Sequence, residues 1–233
     1  MLSKEDLISG ELLVEGRLVD ASNATLFGRV LTSDKSSFAV VYKPIAGERA
    51  LWDFADGNLA SREVASYLIS EIGQFNCVPL TVMRDGPFGM GAVQQWIDLS
   101  PDLDLIAIGQ QSIPAIRNIA LFDVVINNTD RKFGHILPIS DSEILGCDHG
   151  LTFHEEFKLR TVLWQYAGQQ LVDDEIKKLA ALKVRIGGDS LAAFEELITK
   201  DEIDSLLERI DMLISEGFPY PSEQWPAVPW PPV

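Results

Sequence analysis

The segment NNTDRKFGHILPISDSEILGCDHGL, residues 127–151, decides how the rest of the chain is interpreted. It begins with a polar cluster that contains Asp130, and Asp148 follows eighteen residues later. Between the two aspartates, the short apolar runs 136–139 and 144–147 flank a polar turn, a pattern that predicts a β-hairpin. A hairpin returns the chain to its starting point, so we expect both carboxylates at neighbouring chain reversals beside one crevice.

The residues before this segment would form a helix that is apolar on almost every face. Residues 113–126 carry eight large apolar side chains at helical spacing and leave little polar face, which predicts a helix inside the fold, starting at Ser112. Further helices are predicted after residue 151, with starts at Asp173 and at Asp189 or Ser190. This half of the chain is therefore expected to be mainly helical.

The first hundred residues have a different pattern, that of a strand-rich unit with one helix. Apolar runs separated by turn residues predict an antiparallel sheet, and a helical period predicts a helix from residue 59 to Gly73. The predicted strands are 11–20, 26–32, 37–43, 78–84 and 91–97. We therefore predict an α+β, two-lobed fold with an N-lobe at 1–98, a helical C-lobe at 99–216 and a Pro/Trp-rich tail at 217–233, which is expected to pack on the C-lobe.

Composition limits the classes of partner. The formal net charge is -16, which disfavours nucleic acid and anionic lipid surfaces, because both reward a basic face. No apolar run approaches the roughly twenty residues that span a bilayer, and the start of the chain does not resemble a signal peptide. The expectation is a cytoplasmic protein without membrane insertion. Cys77 and Cys147 are too few to form a disulfide framework.

Several residues have the chemistry that phosphoryl transfer requires. That reaction needs a cation on the phosphates, a ligand for a metal ion and a carboxylate that orients the acceptor hydroxyl. Lys43 ends an apolar strand, where its ammonium group would point into a cleft, and Glu63 on the following helix could pair with it. Asp130 and Asp148 supply two carboxylates, one for a metal and one for a proton.

Four short stretches resemble, in order, the ATP-site motifs of the phosphatidylinositol 3- and 4-kinase-like superfamily. They are Lys43-Pro44, residues 62–68, residues 128–131 and residues 148–151. The motifs of type II phosphatidylinositol 4-kinases and, more distantly, of HipA-type kinases look most similar. The whole chain also resembles a mainly actinobacterial family of short kinase-like proteins. The resemblance implies a two-lobed kinase-like fold, ATP with Mg²⁺ or Mn²⁺, and a hydroxyl acceptor on a protein or small molecule.

The resemblance also implies roles for individual residues. Lys43 would contact the α- and β-phosphates and Glu63 would anchor it. Asp130, with Arg131 beside it, would be catalytic, and Asp148 would hold the metal. The hinge that meets adenine through its backbone would consist of Gln95, Trp96 and Ile97.

Two features depart from the superfamily pattern. His135 occupies the position where an asparagine usually serves as second metal ligand, and an imidazole favours softer ions than Mg²⁺. Metal binding through this ring is expected to weaken as pH falls through about 6.5. No G-x-G-x-x-G is present, so Ser22 and Thr25, in the turn before Gly28, would have to cover the phosphates.

The sequence leaves three interpretations open. The first is an active ATP-dependent kinase, and the second is a pseudokinase that binds nucleotide and acts through a partner. The third is a metal-dependent hydrolase that uses a mixed cluster of oxygen and nitrogen ligands. Its members would be Asp130, His135, Asp148, His149 and His154.

Overall fold

The structure, a computed structural model, describes residues 2–18, 23–49, 51, 53–54, 56–140 and 142–233. It has the predicted α+β fold, with an antiparallel sheet followed by a mainly helical part. Five strands form the sheet in the order β1-β2-β3-β5-β4. The strands are β1 Glu11–Arg17, β2 Leu26–Leu31, β3 Ser37–Pro44, β4 Thr81–Gly86 and β5 Gly89–Gln95.

In the described residues, two α-helices accompany the sheet, one more than predicted. α1, Lys4–Ser9, begins with a capping box in which Ser3 and Asp6 satisfy each other's backbone N–H groups. α2, Leu59–Ile72, begins where the side chain of Asn58 accepts the Ser61 N–H and ends at Gly73, as the sequence predicted. α2 connects β3 to β4 and carries Glu63.

The second half of the chain contains five helices and a two-stranded hairpin in its described residues. They are α3 Leu105–Gly109, α4 Pro114–Val125, β6 Ile136–Pro138, β7 Ile144–Gly146, α5 Asp173–Ile186, α6 Leu191–Glu195 and α7 Lys200–Glu216. The predicted start of α4 at Ser112 is wrong. Ile113 is the N-cap and makes no side-chain cap bond, because its side chain has no hydrogen-bond acceptor. Pro114 at the first helical position starts the helix instead, since its backbone φ is already helical.

Burial explains how the hairpin is held. The apolar side chains of α4 lie in the larger hydrophobic cluster together with Ile136 of β6 and Ile144 of β7. A smaller cluster, which includes Val40 and Tyr42 of β3, packs against the other strands of the sheet. The predicted interior position of α4 is confirmed, and the polar segment that follows α4 is thereby fixed at the junction of the sheet and the helices.

No helix in the described part of the chain is both long enough and apolar enough to cross a membrane. The residue boundaries given above for the two lobes and the tail stay predictions.

Candidate active site

A cavity of about 570 Å³ lies where the sheet, α2 and the hairpin meet. Its volume is within the range of pockets that hold one drug-sized ligand, roughly 300–1,000 Å³. It is lined by Thr25 from the start of β2 and by the titratable residues that the sequence singled out: Lys43, Glu63, Asp130, His135 and Asp148. Residues from five separate parts of the chain therefore converge on one cleft.

Lys43 links the sheet to both α2 and the loop after β7. Its Nζ bonds to Oε1 of Glu63 and lies 2.8 Å from Oδ1 of Asp148. The other carboxylate oxygen of Glu63 accepts the backbone N–H of His149 at 3.0 Å. The pairing of Lys43 with Glu63 agrees with the sequence prediction, and Glu63 additionally fixes the loop that carries Asp148.

The charges of this group stabilise one another. Burial alone would lower the pKa of Lys43, but attraction to Asp148 and Glu63 outweighs burial and raises it. Attraction to Lys43 lowers the pKa of Asp148 against the opposing effect of burial. Burial raises the pKa of Glu63, and Lys43 opposes that rise. At neutral pH the cleft therefore holds an ammonium group ready for phosphate oxygens and an ionised Asp148.

The backbone at Asp148 is strained. Its φ is 60°, in the left-handed region that residues other than glycine rarely adopt. The hydrogen bond between the His149 N–H and Glu63 holds the chain in this conformation. Strain of this kind persists only where the surrounding structure enforces it, and it is concentrated at functional sites.

Asp130, His135 and Asp148 form a possible metal-ligand set. One ligand atom from each of the three side chains lies within 4.8 Å of the others. Nε2 of His135 is 3.4 Å from Oδ2 of Asp148, and its buried Nδ1 has no hydrogen-bond partner. Two carboxylates and one imidazole fit a divalent ion, with the nitrogen favouring a transition metal over Mg²⁺.

The protonation states also fit metal binding. Burial lowers the pKa of His135 to about 4, although Asp148 partly opposes this effect. The ring is therefore neutral, as a ligand must be, at any pH well above 4. Burial raises the pKa of Asp130, while Lys132, whose Nζ is 3.1 Å from its carboxylate, opposes the rise.

The direct catalytic role implied for Arg131 does not fit its position. Its guanidinium is completely buried and pairs with Asp123 of α4 at 2.8 Å. It also donates to the backbone carbonyls of His135 at 3.2 Å and Cys147 at 3.0 Å. Because those carbonyls belong to the two segments that flank the hairpin, Arg131 holds these segments together, and it is not among the residues that line the cavity.

The proposed hinge residues lie at the end of β5, outside the residues that line the cavity. The N–H of Gln95 donates to the carbonyl of Leu80 at 2.8 Å, and that of Trp96 donates to Ala39 at 3.0 Å. The Trp96 ring packs edge-on against Phe27. Two of the three N–H groups in the predicted hinge are thus already used in the sheet, and adenine contact there stays a prediction. Ser22 lies outside the described residues.

Two histidines are not part of the metal-ligand set. His149 is fully buried, and its Nε2 lies 2.7 Å from NH2 of Arg131. This contact occupies the Nε2 atom of His149. His154 packs edge-on against Phe54 beside a different cavity. The five-residue cluster required by the hydrolase interpretation is therefore not assembled.

Sequence reasoning missed three contributors to the cleft and its support. Lys132 lines the cavity beside Asp130, and Trp230 from the tail lines it from the opposite end of the sequence. Asp123 was also missed, although a carboxylate directly between the apolar residues Phe122 and Val124 was the available signal for a buried cationic partner.

Comparison with solved structures shows which class of fold this is. The structure of hydra Fam20 with sugar matches at a TM-score of 0.61, with 14% identity, over 91% of this chain and 86% of that one. The Golgi casein kinase with Mn/ADP bound matches at a TM-score of 0.60, with 12% identity, over 91% of this chain and 74% of that one. The chain has a kinase-like fold.

Sequence comparison then gives the family. The chain is 39% identical over 261 aligned positions to Protein Rv2133c of Mycobacterium tuberculosis (strain ATCC 25618 / H37Rv), covering 97% of this chain and 93% of the relative. It belongs to the family of that protein. No family model matches the chain.

A weaker similarity extends to phosphatidylinositol 4-kinase gamma 4 of Oryza sativa subsp. japonica. The two proteins are 27% identical over 129 residues, which is 47% of this chain and 23% of the plant protein. The similarity supports the kinase-like superfamily and does not show the narrower phosphatidylinositol kinase family.

His135→Asn is expected to shift metal preference from Mn²⁺ toward Mg²⁺, because it exchanges a nitrogen ligand for an amide oxygen. Thermal shift with ADP and each metal measures this preference. Because the pKa of His135 is about 4, wild-type binding should persist at pH 5.5 and fall only as pH approaches 4, which corrects the value of about 6.5 expected from sequence. An identical metal preference in both proteins would remove His135 from the site.

Proposed function

We propose that this protein is an ATP-dependent phosphotransferase, with its N-lobe at residues 1–98 and its helical C-lobe at 99–216. The observation that carries the proposal is the convergence of Lys43 with Glu63, and of Asp130, His135 and Asp148, in one cavity. Phosphoryl transfer depends on positioning and charge stabilisation, and this arrangement supplies both.

Lys43 and the proposed metal ligands have distinct tasks in the cleft. Lys43, held by Glu63, would bind the α- and β-phosphates of ATP. Asp148 and His135, with Asp130 nearby, would hold Mg²⁺ or Mn²⁺, which neutralises charge on the phosphates when bound. The Mn/ADP complex of the Golgi casein kinase, which shares the fold, supports this assignment.

Asp130 would act on the acceptor. Its partly buried carboxylate can accept the proton of a hydroxyl group as the hydroxyl oxygen forms a bond to the γ-phosphorus. The bond between that phosphorus and the β–γ bridging oxygen breaks, which leaves ADP and a phosphorylated acceptor. The Nζ atom of Lys132 lies 3.1 Å from the carboxylate of Asp130 and can stabilise its ionised form. The same ammonium group can stabilise the negative charge of the phosphoryl group during transfer.

Replacing Asp148 with alanine tests the proposal, because it removes the carboxylate that would join the metal to the protein. Wild type should gain thermal stability with ATP and Mn²⁺ together, equivalent to about 2.7 kcal/mol when ligand is at 100 times its Kd. Asp148→Ala should lose this gain. Asp174→Ala is the matched control, because Asp174 is 92% exposed and lies far along the chain on α5.

The same thermal-shift measurement, combined with an assay for ADP, separates the other interpretations. A metal-dependent hydrolase would be stabilised by Mn²⁺ alone, with no further effect of ATP. A pseudokinase would show the ATP-dependent gain but form no ADP, whereas the proposed transferase forms ADP. Full retention of the ATP-dependent gain in Asp148→Ala would refute the metal-binding role of Asp148.

A further inference from the structure

The cleft is bordered by a segment for which the proposed function has no role. We define the strap as residues 225–233. Trp230, Pro231 and Val233 of the strap line the same cavity as Asp130. The strap therefore borders the cleft that holds the proposed base.

Three hydrogen bonds anchor the strap at two points. The carbonyl of Ala227 accepts the Thr161 N–H at 3.0 Å and the indole N–H of Trp164 at 2.7 Å. The carbonyl of Pro232 accepts the Phe133 N–H at 2.9 Å.

A cation–π contact adds to these anchors. Nζ of Lys158 lies 4.6 Å from the ring centre of Trp225, which fixes the beginning of the strap. The prediction that the tail would pack its tryptophans on the helical part thus holds for Trp225 and is wrong for Trp230, which is 89% exposed.

The anchoring N–H groups lie close along the chain or by strand pairing to the segment that carries Asp130. Phe133 is three residues after Asp130, and Thr161 forms a β-bridge with Arg131. A peptide that presented a hydroxyl side chain to Asp130 would need main-chain partners in this region, since extended peptides bind through such bonds. The strap already uses two N–H groups of this region, those of Phe133 and Thr161, so a peptide cannot bond to them while the strap is in place.

Trp230 borders the part of the cleft that the strap leaves open to a ligand. Its ring lines the cavity and is otherwise solvated, so a ligand entering beside the strap meets an exposed aromatic face. Such a face packs against the apolar side of a small ring or chain at little conformational cost.

We propose that the strap forms the acceptor side of the cleft and restricts the acceptor to a small hydroxyl-bearing molecule that enters against Trp230. This inference rests on the proposed function. In the transfer, the small acceptor's oxygen bonds to the γ-phosphorus, its proton passes to Asp130 and ADP leaves. A protein side chain is excluded because the strap holds the main-chain positions that its backbone would need.

The test loosens the strap without removing it. In the double variant Trp164→Phe, Trp225→Ala, the strap loses the indole donor to Ala227 and the contact with Lys158. Loss of two such contacts should speed amide exchange at Phe133 and Thr161 by about tenfold. Phe88→Ala is the control, because Phe88 is also a large exposed aromatic but lies in the β4–β5 turn.

Activity is followed with ATP, Mn²⁺ and dephosphorylated casein as a flexible protein acceptor. We expect wild type and Phe88→Ala to form ADP and inorganic phosphate, with water as the small acceptor of the γ-phosphate, and not to phosphorylate casein. The loosened variant should phosphorylate casein at least about tenfold faster than wild type, with an unchanged ATP-dependent thermal shift.

Three results would overturn the strap's role. The first is that the Phe133 and Thr161 amides are unprotected from exchange in wild type. The second is equal casein phosphorylation by wild type and the loosened variant. The third is that the loosened variant does not phosphorylate casein although its amide exchange shows that the strap is loosened. Absence of ADP formation in every protein is a different failure: it would refute the proposed transferase activity, and the acceptor role with it.

Discussion

Replacing Asp130 with asparagine is expected to lower the rate of phosphate transfer by about 10²–10⁴-fold, the usual contribution of a positioned general base. The amide keeps the shape of the side chain and an oxygen for the metal, but it cannot accept the acceptor's proton. ATP affinity in the presence of Mn²⁺ should therefore stay within about threefold of wild type. Single-turnover transfer from radiolabelled ATP, together with a nucleotide titration, measures both quantities.

Asp174→Asn is the control for this substitution, because it makes the same chemical change at a highly exposed position on α5. It should leave both the rate and the affinity unchanged. A loss of ATP affinity in Asp130→Asn as large as the loss of rate would show that Asp130 serves the nucleotide and not the acceptor.

Arg131→Met is expected to reduce the free energy of unfolding by about 3–5 kcal/mol, the usual cost of breaking a fully buried ion pair. Asp123 and Arg131 are both completely buried, so the substitution leaves an uncompensated carboxylate inside the helical part. The carbonyl of Cys147 also loses its bond from Arg131, and that of His135 loses the bond from Arg131 but keeps the one from the Cys147 N–H. Urea denaturation measures the change.

A second variant separates the charge from the positioning role. In Asp123→Leu, Arg131→Met no unpaired carboxylate is left at this position, so much of the stability should return. The Mn²⁺-dependent nucleotide shift should stay weakened, because the carbonyls of His135 and Cys147 still lack their bonds from Arg131. Recovery of both properties would limit Arg131 to a structural role, and a loss below about 1 kcal/mol in the single variant would contradict its importance.

The sequence predicts the fold where local signals are strong. The helical period with Asn58 before it and Gly73 after it predicts α2 closely, and the apolar surface of residues 113–126 predicts an interior helix. The short helix α1 was missed although Ser3 and Asp6 have capping-box spacing, because six residues carry too little periodicity to be recognised.

The candidate site was predictable in part for a similar reason. The order of Lys43, Glu63, Asp130 and Asp148 along the chain indicated the cleft, and the structure brings their side chains together. Their roles stay predictions, as do adenine contact at the hinge and a cytoplasmic location.

Long-range contacts account for what the sequence did not reveal. Burial of Arg131 depends on Asp123 from α4, and the lowered pKa of His135 depends on desolvation by the surrounding fold. The position of the strap depends on carbonyl groups that accept from Phe133 and Thr161. No residue pattern encodes such contacts, because the backbone carbonyl groups are the same in every residue.

The most direct measurement is a crystal structure with a non-hydrolysable ATP analogue and Mn²⁺, in which anomalous scattering locates the metal. We predict a manganese peak bound by Asp148 and His135 close to Asp130, with the phosphates against Lys43. A nucleotide bound elsewhere, or manganese held by other residues while the nucleotide is present, would contradict the assignment of this cleft as a phosphotransferase active site.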